Sequence, residues 1–303
     1  MARRRLLRFV TGALAGPVAG GVARAALRAL RDSPALERTN FHGRRVSLAG
    51  GPALALGATA GAVVQRPEHA AATVVAGLGS GAVGLYDDLV GGRPEHSAKG
   101  FRGHIGALRQ GRVTSGLVKI AGVGAAGLVA AALLPRRRAI DVVLGAGVIA
   151  GSANLFNLLD LRPGRALKAG LAAGTPLGAS GPIGAASALL PADLGEEIML
   201  GDAGANALGA LLGTAYTART GTFGRLAALA GIVALTAASE KVSFTKVIEA
   251  NPLLNRLDQW GRRGPDDGPD DDTVGDESEM PEMSAEGPEG GRRPRKPSQY
   301  PRG

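Results

Sequence analysis

The chain has no cysteine, which excludes disulfides, zinc-thiolate centres and iron–sulfur clusters. It also has no motif that speaks for nucleic-acid recognition, since the terminal Arg292–Lys296 cluster is isolated in a polar tail. Its basic start, Met1–Arg8, precedes an apolar run as in a signal peptide, but Leu27–Arg31 offers no small-residue cleavage site. The segment therefore reads as a retained first span. Mean hydropathy is low at +0.09, because 48 glycines and a charged tail dilute the apolar stretches.

Those stretches are nevertheless as long as a bilayer is thick. A span needs about 20 largely apolar residues, and Val46–Val64, His69–Tyr86, Val113–Leu134, Ile140–Leu159 and Ile198–Ala218 approach that length. Val10–Leu30 and Arg225–Ser239 are weaker cases, the first interrupted by Arg24. The runs are rich in Ala and Gly, which suits close helix packing in lipid. So many uninterrupted apolar segments would overfill a soluble core. The expectation is an all-α, polytopic membrane helix bundle of about eight to ten spans over residues 1–263. The Gly- and Ala-rich faces would permit a homodimer.

Charge is unevenly distributed. Asp266–Glu289 holds 11 acidic residues, so the body before it is strongly basic. The region 264–303, rich in Pro, Gly, Asp and Glu, lacks the apolar content for a core and is expected to be disordered. Basic loops are ordinary orientation signals. Arg31–Arg45, Asp87–Arg112 and the loop after Leu159 fall on one face if each intervening stretch crosses once, and their Lys and Arg content marks that face as cytoplasmic. Arg3–Arg5 and Arg136–Arg138 fall opposite and oppose this assignment.

Against this background the acidic residues stand out. Asp87 and Asp88 end one apolar stretch, Asp160 ends another and Asp202 begins a third. A carboxylate beside hydrocarbon must be paired, hydrated or bound to a cation, and several on one face would make a divalent-metal site next to lipid. Adjacent carboxylates cannot both point one way on a helix, so one of Asp87 and Asp88 could meet a metal or phosphate while the other bonds Lys or backbone. Asn154, Asn157 and Asp160 recur every three residues, which places them along one helix face. They lead into a loop whose Arg162, Arg165 and Lys168 could hold a diphosphate. In Leu200–Asn206 an acid is followed by small residues that open a helix, and helix starts bind phosphate through their N–H groups. Taken singly, Asp160 and Asp202 could equally be helix caps, and Asp87 and Asp88 a loop-start pair.

Whether Asp202 joins the other acids depends on Ala166–Pro191. If that stretch crosses once, Asp202 emerges on the wrong face. If it folds as two short or re-entrant helices, broken near Gly178–Pro182, Asp202 returns. Its 26 or so residues are too few for two full spans, and Gly174-Thr175-Pro176 with Ser180-Gly181-Pro182 supplies breaks that favour the hairpin.

The ordered motifs Asn40-Phe41-His42-Gly43 leading to a Gly50-Gly51 turn, Tyr86-Asp87-Asp88, Lys99-Gly100-Phe101-Arg102-Gly103-His104, Asn154-Leu155-Phe156-Asn157-Leu158-Leu159-Asp160 and Gly201-Asp202-Ala203-Gly204 resemble those of one superfamily. It is the polyprenyl-phosphate N-acetylhexosamine-1-phosphate transferases, which include the bacterial phospho-MurNAc-pentapeptide and GlcNAc-1-phosphate transferases. The resemblance covers roughly residues 10–250 and lies in the order of the motifs. It implies a multi-span membrane enzyme that moves a sugar 1-phosphate from a UDP-sugar to a polyprenyl phosphate at the cytoplasmic face, with Mg2+ (or Mn2+), releasing UMP. By the same resemblance Asp202 is the magnesium-binding aspartate, joined by Asp160. Asp87 and Asp88 are the acid pair at the lipid phosphate, and Asn154 and Asn157 stand in the nucleotide loop. Lys99, with Arg102 and His104 beside it, is a basic phosphate-binding element.

The departures are specific. The family's run continues Gly-x-Asp-Gly, whereas here it continues Leu161-Arg162-Pro163-Gly164, so Pro163 replaces the second aspartate. The late histidine-rich motif is missing, as the only histidines are His42, His69, His96 and His104. In its place Glu240–Glu249 reads as the end of a span passing into an amphipathic helix on the membrane. Three functions follow: the transferase with altered donor specificity, a catalytically degenerate relative that binds polyprenyl phosphate or a membrane partner, and a transporter with a broken-helix site at its midplane. The transporter explains acids at span ends poorly.

Overall fold

The computed structural model describes residues 2–40, 42–91, 114–135 and 138–263. The chain divides between Arg263 and Gly264; the second unit, expected to be a disordered tail, lies outside the described residues, as do Lys99, Arg102 and His104.

Among the described residues the first unit is a helical bundle with one small β-hairpin. Helix α1 (Ala2–Leu30) is followed by antiparallel strands β1 (Glu37–Thr39) and β2 (Arg45–Ser47), in which Glu37 pairs with Ser47 and Thr39 with Arg45. Next come α2 (Gly50–Gln65) and α3 (Ala70–Val74), which runs through a π-helical turn, Val75–Gly79, into α4 (Ser80–Val90). The remaining helices are α5 (Ser115–Leu133), α6 (Ala139–Leu159), α7 (Arg165–Gly174), α8 (Ser180–Leu194), α9 (Gly201–Arg219), α10 (Thr222–Ser239), α11 (Phe244–Ala250) and α12 (Pro252–Gln259).

Helix α9 is the central post. Every residue from Ala203 to Thr214 is buried, and it packs on α2, α4 and α6. A helix buried on all sides must be apolar or small-sided all round, and α9 meets this with Ala, Gly and Leu. Small residues also set the other crossings. Gly57 of α2 lies against Ala19 and Ala23 of α1, and Gly184 of α8 lies on the backbone of Gly16. At such crossings a single methyl would push the backbones apart.

Among the described residues five helices are long and apolar enough to cross a membrane: Val10–Leu30, Pro67–Val90, Ser115–Leu133, Ala139–Leu159 and Thr222–Ser239. Their outer faces carry exposed large apolar side chains, among them Ile120, Leu128, Val143, Leu226 and Val233. Two expected spans, Val46–Val64 and Ile198–Ala218, are not among these five. Val46–Val64 begins in strand β2, so its helix starts only at Gly50 and has 16 residues. The expected Gly50-Gly51 turn is instead the first helical turn of α2, the turn itself being Leu48–Ala49. A Cβ on Gly51 would overlap the carbonyl oxygen of Leu200, so these glycines let α2 dock on the start of α9.

The stretch after Arg165 folds as the helical hairpin. Helices of 10 and 15 residues reach about 15 and 22 Å at 1.5 Å per residue. Their turn is held at the C-terminal end of α2, where the Gln65 side chain donates to the Gly178 carbonyl at 2.6 Å and to Ser180 Oγ at 3.3 Å. The hairpin returns the chain to the end from which α7 left. Asp202 therefore emerges at the same end as Asp88 and Asp160.

Candidate active site

The last turn of α4 presents two acids in different directions, since adjacent helical positions are about 100° apart. The Asp88 carboxylate accepts the backbone N–H groups of Asp202 and Ala203, both at 2.9 Å. It thus satisfies two of the donors that any helix start leaves open and places a negative charge at the positive end of α9. Gly201 makes this possible. Its φ is +58° and a Cβ there would strike the Asp88 carboxylate, so this turn requires glycine. Gly84, one turn before Asp88, lies so close to α9 that a Cβ would overlap the Asp202 carbonyl. The hairpin joins in through Arg38, whose Nη2 donates to the Asp88 carbonyl at 2.9 Å.

Asp87 faces α5. Lys119 Nζ lies 2.9 Å from Asp87 Oδ2 and 2.5 Å from Asp202 Oδ2, so one ammonium bridges two carboxylates from different helices. All three side chains are only partly exposed, between 14 and 22%, enough to be reached from solvent. Lys119 escaped the sequence reading. Its signal was available, as a lone cation five residues into an apolar helix calls for a polar partner.

Asp160 follows the last residue of α6, at its C-cap. Burial, reinforced by the negative charges of Asp193, Asp88 and Asp202, pushes its carboxyl well above the usual carboxylate range, and the Gly201 N–H offsets this only in part. The residue lines a cavity of about 220 Å³ with Asn40, Arg162, Asp193, Glu196 and Met199. Asn157 is half-buried one turn back on α6, and Asn154 is exposed a further turn back.

Two more acids at this end were not anticipated. Asp193, buried, accepts the Gly164 N–H at 2.8 Å and so fixes the loop that carries Asp160. Glu196, also buried, has a left-handed backbone with φ +57°, an uncommon conformation for a side-chain-bearing residue. Its carboxylate accepts from Asn40 Nδ2 at 2.5 Å and lies 2.9 Å from His42 Nδ1. The tip of the β-hairpin is thereby tied to the connector that leads into α9.

Arg165 and Lys168 take a different part from the one expected. Arg165 is buried and makes a two-pronged pair with Asp258 of α12, at 2.8 Å on each side, and donates to Thr245 at 2.9 Å. Lys168 donates to the carbonyls of Asp258 and Trp260 at 2.8 and 2.6 Å. Both are engaged in anchoring the C-terminal helices. Arg162 does line the cavity.

The fit of a divalent cation can be tested on the donor set. The oxygens of Asp160 and Asp202 are hard ligands of the kind Mg2+ prefers, and Asp202 shares the Lys119 ammonium with Asp87. Among the described residues no group of three or more His, Asp or Glu side chains converges as a ready cage. Mg2+ is commonly held by one or two carboxylates with water and substrate phosphates completing the shell, and Asp202 with Asp160 fits that mode. No protein-family model and no curated protein matches the chain.

Proposed function

We propose that this protein is a magnesium-dependent transferase that moves an N-acetylhexosamine 1-phosphate from a UDP-sugar to a polyprenyl phosphate carrier, releasing UMP, in cell-envelope polysaccharide or peptidoglycan-related synthesis. The observation that carries this reading is the meeting of Asp87, Asp88, Asp160 and Asp202, delivered by three separate helices, with Lys119 at one end of an apolar bundle. The same four acids are the ones that the resemblance assigns to the metal and the lipid phosphate.

In this reading the bundle is a polytopic protein of the cell membrane. Helices α1, α2, α3 with α4, α5, α6, α9 and α10 cross, and the short α7–α8 pair fills the interior as a re-entrant hairpin shielded by protein. The acid end carries the loops rich in Arg and Lys and faces the cytoplasm, where UDP-sugars are met. The acceptor lipid reaches the same level from the side, since its phosphate sits at the membrane surface.

The chemistry is a displacement at phosphorus. An oxygen of the lipid phosphate attacks the sugar-bearing phosphorus of the UDP-sugar, the bond from that phosphorus to the bridging oxygen breaks, and the electron pair leaves with UMP. Reaction between two anions needs positioning and charge neutralisation more than covalent help. Bound Mg2+ would supply neutralisation at the diphosphate, with Asp202 and Asp160 holding it. Lys119, freed from one carboxylate, would take a phosphate oxygen as a point charge. Asp87, paired with Lys119, would orient the lipid phosphate. Asp88 has both oxygens committed to the start of α9 and acts by positioning Asp202. Arg162 lines the cavity beside Asp160, where the nucleotide would enter, and Asn157 stands one turn before Asp160 on α6.

Two observations favour a second reading, a degenerate relative that binds polyprenyl phosphate without transfer. Lys119 already neutralises Asp87 and Asp202, and Pro163 stands where the family has an acid. The two readings separate in one assay: transfer of label from radiolabelled UDP-N-acetylhexosamines to undecaprenyl phosphate by membranes containing the protein and Mg2+. Transfer that is abolished in Asp202→Asn, with the variant inserted and folded, is the expected result. No transfer from any donor by the folded parent chain overturns the enzyme and leaves the binding role.

A further inference from the structure

We infer that α11 and α12 form a strap that lies in the surface of the membrane at the acid end, with Leu253, Leu257 and Trp260 among lipid chains and headgroups. The inference rests on the reading that the bundle is membrane-embedded, and goes beyond it by assigning lipid as the ligand of a specific surface.

Three features converge. The first is continuity. In α10 only Arg225 is buried, so the helix turns apolar side chains outward along its length, and four residues separate its end from α11. A chain leaving such a helix is delivered to the boundary between hydrocarbon and water. The second is a fixed height. Asp258 of α12 is bound by Arg165 and, at 2.7 Å, by Arg262, while Arg262 Nε donates to the Pro163 carbonyl at 2.9 Å. These bonds hold the strap level with the loop after Asp160, where α6 ends. The third is polarity. The one buried residue of α12, Asp258, is charged and paired, whereas large apolar side chains are turned outward beside Arg256 and Gln259, with Leu253 67%, Leu257 55% and Trp260 72% exposed. A free surface helix in water has the reverse pattern. Leu and Trp around a short helix at this depth are what the interfacial zone stabilises, because indole has an apolar body and a polar N–H. Within the expected segment Glu240–Glu249 the helix starts only at Phe244, as α11, since residues 240–243 are non-helical.

Trp260 is the only tryptophan in the chain, so its emission reports on this surface without background. The full-length protein is reconstituted in nanodiscs of phosphatidylcholine, either plain or brominated at a shallow or a deep acyl position. Shallow bromines are expected to quench Trp260 by about twofold and deep bromines less, as for a helix buried about 5–10 Å into the interface. The double variant Leu253→Ser, Leu257→Ser is expected to lose most of that quenching while remaining in the discs. Emission indifferent to bromine in discs that retain the protein overturns the strap, whether iodide in the buffer quenches Trp260, as for an indole in water, or fails to, as for one covered by protein. A chain that stays soluble without lipid or detergent and does not enter discs overturns the membrane reading itself, a different failure with its own signature.

Discussion

Asp88 and Asp202, 114 positions apart in the chain, are joined by a hydrogen bond from the Asp202 backbone N–H to the Asp88 carboxylate at 2.9 Å. With the Ala203 N–H on the other oxygen, the end of α4 caps the start of α9, and the position of the Asp202 side chain is set by a residue on another helix. Removing a helix cap costs about 0.5–2 kcal/mol. Asp88→Ala is therefore expected to melt at a lower temperature in detergent by an amount in that range and to lose transfer. Asp88→Asn keeps one acceptor oxygen and should lie between the two. An Asp88→Ala protein that melts like the parent would show that the cap contributes nothing to stability.

Lys119 separates structure from chemistry at the same place. Lys119→Gln leaves Asp87 and Asp202 without their shared cation. If Lys119 binds a phosphate oxygen in the reaction, transfer should fall by about 10²–10³, the usual effect of removing one well-placed donor from a developing charge. Lys119→Arg keeps the charge but not the point geometry, and is expected to restore only part of the rate. Steady-state transfer at saturating UDP-sugar, with melting temperature measured alongside, distinguishes this from unfolding; unchanged transfer in Lys119→Gln would confine the lysine to structure.

The clasp between Arg165 and Asp258 predicts both a variant phenotype and a pH dependence. Their side chains are 5 and 6% exposed, and breaking a buried pair from one side costs about 3–5 kcal/mol. Asp258→Ala is expected to release α11 and α12, read as new protease cleavage between residues 240 and 263, and the double variant with Arg165→Ala should cost less than the sum of the two. Burial alone would raise Asp258, but its bonds and charges with Arg165 and Arg262 hold it below the ordinary carboxylate range. A carboxyl lowered in the folded state stabilises fully above its unfolded pKa, about 4, and that contribution is lost as pH falls through the folded value. Cleavage in the parent should therefore rise as pH drops below about 4 and be independent of pH there in Asp258→Ala; a parent whose cleavage does not change with acid would rule out the clasp as the anchor.

Much of this protein was legible in one dimension. The bundle class followed from the apolar runs, since a helix of bilayer length must be apolar over about 20 residues whatever its neighbours. The acids at the ends of those runs stood out because charge beside hydrocarbon needs a reason. The breaks at Gly174-Thr175-Pro176 and Ser180-Gly181-Pro182 marked the hairpin, because backbone geometry at Gly and Pro is local. One of Asp87 and Asp88 was expected to meet a metal or phosphate and the other to bond Lys or backbone; the structure gives Asp88 to the α9 backbone and Asp87 to Lys119.

What the chain did not reveal was partnership. Arg165 and Lys168 have the composition of a diphosphate site, and only the return of α12 across the end of the bundle gives them to Asp258 and to the carbonyls of Asp258 and Trp260. Lys119 was hidden inside a span until α5 packed beside α4 and α9. Glu196 and Asp193 were unremarkable acids until folding buried them against the hairpin and the Asp160 loop. Sequence determined where charge, apolar length and backbone breaks lie, because those are properties of each residue and its near neighbours. Tertiary structure alone decided which charges meet, because an ion pair is a matter of distance between helices.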